Sequence, residues 1–235
     1  MDHKAFGAES LDPSLAVVPQ LVRILRAAII ENRLCPGTRL TETEIGKLMG
    51  VSRQPVREAF IKLSDEGLLD VRPQRGTFVR PISLDALLDA RFVREAIEAD
   101  LVRLCAEERP AGLVDELRRQ VAAQRALGAG SSAEFLPLDN LFHRSMAEAA
   151  GRPRAWTMIA GLNRQMDRIR YLAATHFPIG TLVDQHEGIV DSIEAGRAAE
   201  AEAQMRHHLR MILSDLPAIR EAAPACFDGP APATS

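Results

Sequence analysis

Gly50-Val51-Ser52-Arg53-Gln54-Pro55-Val56-Arg57-Glu58-Ala59-Phe60 is the stretch that decides the fold. Upstream of it, Thr41 is an N-cap, with Glu44 three residues later completing a capping box. The helix so opened carries Ile45 and Leu48 and stops at Gly50. Ser52 then caps a further helix that runs to about Glu66, before a stop at Gly67. A short helix, a tight glycine turn and a capped second helix make a helix-turn-helix. Such a second helix presents its N-terminal residues to the DNA major groove. Ser52, Arg53, Gln54 and Arg57 occupy that first turn and a half. Arg53 and Arg57 are four apart and share a face. Arginine bonds guanine O6 and N7 bidentately, and glutamine does the same for adenine. Ser52 and the amides of the helix N-terminus suit a phosphate.

Working outward, Leu21, Ile24, Leu25, Ala28 and Ile29 recur at helical spacing and predict a first helix over 18–30, ended by the turn Cys35-Pro36-Gly37. Residues 1–14 are polar, contain Pro13 and read as a mobile tail. Downstream, the β-like runs 68–71 and 77–79 flank Pro73-Gln74-Arg75-Gly76, a hairpin tip. Arg75 is placed there to reach a minor groove or a DNA backbone. Residues 15–80 therefore read helix, helix, helix, hairpin, which is a winged helix.

Pro81-Ile82-Ser83 marks a linker. Beyond it there is no strand signal. Helical patterns run over 84–108, 111–127, 133–149, 153–175, 181–195 and 198–222. Their separators are Arg109-Pro110, Gly128-Ala129-Gly130, Gly151, the turn 177–180 and Gly196. Six helices with short connections predict an antiparallel all-helical bundle over 84–222. The fold class is mainly α, a winged helix-turn-helix followed by that bundle. Residues 223–235 are rich in Ala and Pro and read as a disordered tail.

Composition agrees. The chain has 235 residues, enough for one large or two small domains with cores, and aromatics make up only 4%. No apolar run approaches the roughly 18 residues of a membrane span. The N-terminus carries no secretory signal, and Cys35, Cys105 and Cys226 are scattered, so a reducing cytoplasm is expected. Net charge is −3, but it is unevenly spread. Residues 1–80 carry 12 Lys and Arg against 10 Asp and Glu, and the remainder carries 17 against 22. A mildly basic front and an acidic back suit a chain that touches DNA at one end.

A second constellation lies in the helical half. Asp139 and His143 are four apart, which sets carboxylate and imidazole on one helix face roughly 6 Å apart. The midpoint of His186 and His208 is residue 197, at the Gly196 break, so an antiparallel hairpin brings them level. Three histidines and a carboxylate suit zinc, nickel, manganese or iron, with positions left open for water or a ligand. His207 points about 100° away around its helix and is excluded.

The stretch from Arg33 to Val79 resembles the winged helix of the GntR family. It carries Pro36-Gly37-Thr38-Arg39-Leu40, residues Val51 to Ala59, Gly67-Leu68-Leu69 and Arg75-Gly76-Thr77-Phe78-Val79. The resemblance implies DNA contacts at Ser52, Arg53, Gln54 and Arg57, with Arg75 and Gly76 in the wing. Gln54 replaces the threonine common in the family, and Thr43 stands where some members have a DNA-contacting arginine. Residues 84 to about 216 resemble the FadR-type effector domain, FCD. The pieces are Val93-Arg94-Glu95-Ala96-Ile97-Glu98, the Asp139 and His143 pair, Gln185 to Val190, and Arg206 to Leu209. Arg152 departs from the asparagine usual at its place. By that resemblance Asp139, His143, His186 and His208 ligate a divalent metal, zinc or nickel first. The effector is a small carboxylic acid, for which Arg94, Arg164 and Arg168 are candidate partners. Arg94 fits equally as the ion-pair partner of a neighbouring carboxylate. Six helices point to the shorter, metal-binding subgroup.

These readings lead to a cytoplasmic, homodimeric transcription regulator, a repressor by preference, that binds double-stranded operator DNA and answers a small organic acid. Three alternatives stay open: a sensor in which the ion is the signal, a structural metal with the effector elsewhere, and a metal-dependent hydrolase. The last lacks a general base placed by any motif.

Overall fold

The computed structural model describes residues 6, 10–127, 132–162 and 164–228. It divides into two compact units, residues 1–84 together with 223–235, and residues 85–222.

In the first unit, α1 (Val17–Ile30) buries Leu21, Ile24, Leu25, Ala28 and Ile29, the five positions its periodicity marks, and packs on α3. Strand β1 (Arg39–Leu40) leads into α2 (Glu42–Met49). The Glu44 amide donates to Thr41 Oγ1 at 3.2 Å, and the Thr41 hydroxyl donates to Glu44 at 2.7 Å. Gly50 closes α2 in the left-handed region at φ 68°. A Cβ on Gly46 would stand 2.9 Å from the Val51 carbonyl oxygen, so the turn can fold back this closely only on a glycine. Helix α3 (Arg53–Asp65) starts after Ser52 and buries Val56, Ala59, Phe60 and Leu63, leaving the opposite face to solvent. The wing is β2 (Leu69–Arg72) and β3 (Gly76–Val79), antiparallel, with Leu69 opposite Val79 and Arg72 opposite Gly76. β1 adds to β3, giving the order β1-β3-β2. This third strand escaped the sequence reading because two residues carry no periodicity.

Both termini depart from expectation. Phe6 is 2% exposed and belongs to the core of this unit. The Asp12 amide donates to Gln20 Oε1 at 2.7 Å, and Gln20 Nε2 donates back to the Asp12 carbonyl at 3.0 Å. The tail assigned to 1–14 is thus tied down at these points; residues 1–5 and 7–9 lie outside the described residues. At the other end, Pro224–Cys226 form a 3-10 turn with Cys226 and Phe227 buried. Phe227 bridges to Ile82, whose amide donates to the Cys226 carbonyl at 2.8 Å. The Asp228 amide returns a bond to the Ile82 carbonyl at 3.0 Å. Residues 223–228 are therefore an ordered part of the first unit, because two buried side chains and two backbone bonds offset their chain entropy. Residues 229–235 lie outside the described residues.

The second unit is helical throughout: α4 (Leu84–Glu108), α5 (Leu113–Arg125), α6 (Ser132–Ala149), α7 (Pro153–Leu162), α8 (Arg164–His176), α9 (Gly180–Glu194) and α10 (Ala198–Ala222). Among the described residues there are seven helices here, not six. The helix expected over 153–175 is divided, and residue 163 between the two parts lies outside the described residues, as does the Gly128-Ala129-Gly130 separator. Ile159, Leu162, Met166, Ile169 and Leu172 keep three- and four-residue spacing through both parts, so the pattern reads as one helix. Helix α5 packs on α6 and α9, α9 on α10, and α8 on both α6 and α10. Residues from α6, α9 and α10 thereby meet in one interior, around Phe142, Ile189, Val190, Met205 and Leu209.

Candidate metal centre and nucleic-acid interface

The residues of the first unit expected to contact DNA stand on the elements that the sequence predicts for them. Thr43, Ser52, Arg53, Gln54, Arg57 and Arg75 are all exposed. Ser52 has the extended backbone of an N-cap, φ −68° and ψ 168°, but its hydroxyl makes no cap bond. A helix N-terminus whose cap hydroxyl is uncommitted is one that can take an anion. Arg53, Arg57 and Arg75 have no ion-pair partner among the described residues, whereas Arg72 is held by Asp70 at 2.7 Å and lies over the Phe78 ring. Gln54 donates to Glu58 at 3.1 Å, an exposed bond that a base edge can replace at little cost. Gly76 has φ 109°, and a Cβ there would stand 2.8 Å from Arg39 Nε. That contact exposes a residue the sequence reading passed over: Arg39, exposed on β1, lays its guanidinium against the base of the wing.

In the second unit Asp139 and His143 from α6, His186 from α9 and His208 from α10 converge, with one ligand atom of each within 4.8 Å of the others. His186 Nε2 lies 3.3 Å from His208 Nε2 and 3.4 Å from Asp139 Oδ1. His143 Nε2 lies 3.9 Å from the same Asp139 oxygen. Donors about 2.1 Å from one ion stand about 3.0 Å apart at right angles and about 4.2 Å apart across it. The cluster is close to that span as it stands.

The outward nitrogens explain why the inner ones converge. Gln124 on α5 donates through Nε2 to the Leu138 carbonyl at 3.2 Å, which turns its Oε1 toward His186 Nδ1 at 2.7 Å. An acceptor there makes Nδ1 the protonated nitrogen and leaves the Nε2 lone pair facing the centre. Gln185 Oε1 does the same for His208 Nδ1 at 2.8 Å. Glu98 Oε2 lies 2.5 Å from His143 Nδ1, and Arg94 in turn holds Glu98 at 2.6 Å. His143 Nε2 is buried and has no hydrogen-bond partner among the described residues. Phe142 stacks on the His186 ring at 4.2 Å between centroids and fixes its plane.

Electrostatics favour neutral imidazoles. Burial pushes His186, His208 and His143 below the ordinary histidine value, with neighbouring imidazoles and cations adding to the effect for the first two. Burial alone would raise the Glu98 carboxyl, but Arg94 and His143 hold it well below the usual carboxylate range. Buried neutral imidazoles with lone pairs aimed at a common point, beside an ionised carboxylate, are the donor set a borderline divalent ion takes. The residues fit such an ion.

A cavity of about 60 Å³ opens beside the cluster, reached by Asp139 and His208. Of the three arginines named from sequence, only Arg94 lines it. Arg164 lines a separate groove with Trp156 and Asp167, and Arg168 is 2% exposed and not on the cavity wall. Arg91 and Arg170 line it instead. Arg170 pairs with Asp139 and bonds Asn140 at 2.9 Å. His207 is exposed and lines another groove, as its helix phase requires.

Glu98, Gln124, Gln185, Arg91 and Arg170 were missed. Gln124 gave one signal: it lies three and seven residues after Val121 and Leu117, a polar side chain on the buried stripe of α5. Such a residue has a partner or it is not there.

A winged helix with unpaired arginines on its recognition helix defines a DNA-binding transcription regulator. Residues 18–79 match the family described as bacterial regulatory proteins, gntR family, and residues 89–211 match the FCD domain. The chain belongs to the GntR family of transcription regulators and carries an FCD domain; it is not an enzyme. It is 36% identical over 213 residues to the HTH-type transcriptional repressor RspR of Escherichia coli, covering 90% of this chain and 93% of that one. It is 32% identical over 201 residues to a probable D-xylose utilization operon transcriptional repressor of Paenarthrobacter nicotinovorans, covering 84% and 87%. Among solved structures, E. coli McbR/YncC shares the fold with a TM-score of 0.70 at 20% identity, covering 89% of this chain and 99% of that one. No described helix is long and apolar enough to cross a membrane.

Proposed function

We propose that this regulator is a cytoplasmic homodimeric repressor whose grip on a two-fold related operator is set by a small carboxylic acid bound at a divalent metal. The observation that carries the reading is the convergence of Asp139, His143, His186 and His208 on one point beside a cavity lined by arginines. Zinc or nickel suits three imidazoles and one carboxylate best, with manganese or iron as weaker fits. Bound there, the ion would act as a Lewis acid that takes a carboxylate oxygen. The chain's own residues do the rest. Gln124, Gln185 and Glu98 orient the imidazoles, the buried walls exclude bulk water, and Arg91, Arg94 and Arg170 are the cations on the cavity wall, each already paired with a carboxylate. Arg94 is committed to Glu98 and supports the site as an ion-pair partner, the second of the two roles open to it from sequence. Arg164 and Arg168 have less support as acid partners because neither lines the cavity.

At the DNA end, Arg53, Arg57, Ser52 and Gln54 read the major groove, Thr43 stands beside a phosphate, and Arg75, Gly76 and Arg39 serve the wing. One such unit reads too few base pairs to be selective, which favours a dimer. Leu88 and Phe92 on α4, and Met158 and Leu162 on α7, are exposed apolar pairs four apart that suit a contact between copies.

The deciding experiment is elemental analysis of the purified chain and two variants. The parent and His207→Ala should carry one divalent ion per chain, and His208→Ala should carry none. Equal metal in both variants would sink the site. Operator binding is then titrated with metal alone and with metal plus acids; a response to metal alone would make the ion the signal.

A further inference from the structure

Asp215 is the carboxylate on the cavity wall that no other part of the site accounts for. Every cation lining the cavity already has an acidic partner: Arg91 pairs with Glu95, Arg94 with Glu98, and Arg170 with Asp139 and Asp167. Asp215 has no hydrogen-bond or ion-pair partner among the described residues and is half-buried. A half-buried carboxylate on a cavity wall, with no protein donor, leaves its acceptor oxygens free for a donor on a ligand.

Its position is set by helix geometry. Asp215 follows His208 by seven residues on α10, so the two lie on nearly the same face, two turns or roughly 10 Å apart along the axis. Met211 and Ile212 fall between them on that face and also line the cavity. The wall therefore runs from a metal-ligand imidazole, over an apolar rung, to an unpartnered acceptor. A cavity of about 60 Å³ has room for roughly four to six water-sized groups.

We infer that the acid filling this cavity carries a hydrogen-bond donor, a hydroxyl or an ammonium, on a carbon remote from its carboxylate, and that Asp215 reads that donor. The inference rests on the acid-at-metal reading above. The carboxylate end lies at the centre, a short apolar stretch passes Met211 and Ile212, and the far donor meets Asp215. A donor on the carbon next to the carboxylate falls at the centre instead and does not reach Asp215.

Binding calorimetry on the full-length, metal-loaded chain tests this with butyrate, 2-hydroxybutyrate, 4-hydroxybutyrate and 4-aminobutyrate. The parent should bind one or both of the 4-substituted acids at least tenfold more tightly than butyrate. Asp215→Ala should bind them no better than butyrate while keeping its affinity for butyrate. Asp215→Asn, which keeps an acceptor oxygen without the charge, should retain a preference for the hydroxyl and lose one for the ammonium. That contrast tells the two donors apart, and it stands if the alanine variant fails to fold. Equal binding of butyrate and the 4-substituted acids by the parent, or a preference that survives in both variants, overturns the role of Asp215. Failure of all four acids to bind the metal-loaded chain overturns the acid-at-metal reading and this inference with it.

Discussion

Gln124 and His186 come from helices 62 positions apart in sequence and meet at 2.7 Å in the interior of the helical unit. The amide is wholly buried, and its other end is used by the Leu138 carbonyl, so its orientation is fixed from two sides. Gln124→Leu keeps the volume and removes the acceptor. Metal affinity should fall by about 10–100-fold, the usual cost of losing a partner behind a metal-ligating histidine. Competition with a chromophoric chelator measures it; unchanged affinity would show that His186 needs no such support.

Arg53→Ala and Arg57→Ala should each cost about 1–3 kcal/mol of specific operator binding. Arg75→Ala should weaken specific and non-specific DNA alike and reduce the salt dependence of binding by about one phosphate contact. The melting of the helical unit should not move in any of the three. Fluorescence anisotropy over a salt series, paired with calorimetry, separates these effects.

The buried imidazoles give the metal-free chain a definite pH dependence. His143, His186 and His208 all sit below their ordinary value of 6.5 in the folded chain, so the unfolded chain binds more protons as pH falls through 6.5. Stability therefore rises with pH in this window and is lost progressively below about pH 6.5. Bound metal should lose affinity in the same direction, since the imidazoles must be neutral to ligate. Melting curves of chelator-treated protein at pH 8, 7, 6 and 5 check the sign. A chain that is as stable at pH 5 as at pH 8 would contradict it.

Phe92 is 67% exposed on α4, four residues from Leu88. Phe92→Glu places a charge in the apolar pair. If this face joins two copies, light scattering should report a dimer for the parent and a monomer for the variant at micromolar concentration. The variant's helical unit should melt as before.

Phe227 is 7% exposed and, within the first unit, bridges to Ile82. Phe227→Ala should destabilise that unit by about 3 kcal/mol, the low end for a buried phenylalanine. Far-ultraviolet melting of the variant against the parent measures it. A variant as stable as the parent would mean that residues 223–228 hold no structural role.

Much of this chain was legible from local pattern. Thr41 and Glu44 announce a capped helix start and make one, the Thr41 side chain accepting from the Glu44 amide and donating its hydroxyl to the Glu44 carboxylate in place of the backbone bond of a full capping box, because a cap is decided within four residues. His186 and His208 announce themselves as level across a three-residue break, because two antiparallel helices of fixed rise leave no other register. The apolar stripe of α1 follows from the 3.6-residue period, and the bounds of α4 and α10 follow from the breakers beside them, Pro81, Pro110, Gly196 and Pro224. These are properties that neighbouring residues impose on one another, and the sequence by itself determined them, together with the family to which the chain belongs.

What lay outside that reach depended on contacts between segments far apart in the chain. The pairing of Phe227 with Ile82 joins residues 145 positions apart, and composition alone made its segment look disordered. Arg170 replaces Arg164 and Arg168 on the cavity wall because α8 turns that face toward Asp139, a rotation that the period of the helix permits but does not choose. Gln124, Gln185 and Glu98 became partners of three histidines only once α4, α5 and α9 were packed around them. A periodic pattern states which face of a helix is buried; which atoms that face meets is decided by tertiary packing, since only close approach in a dry interior makes a single hydrogen-bond partner obligatory.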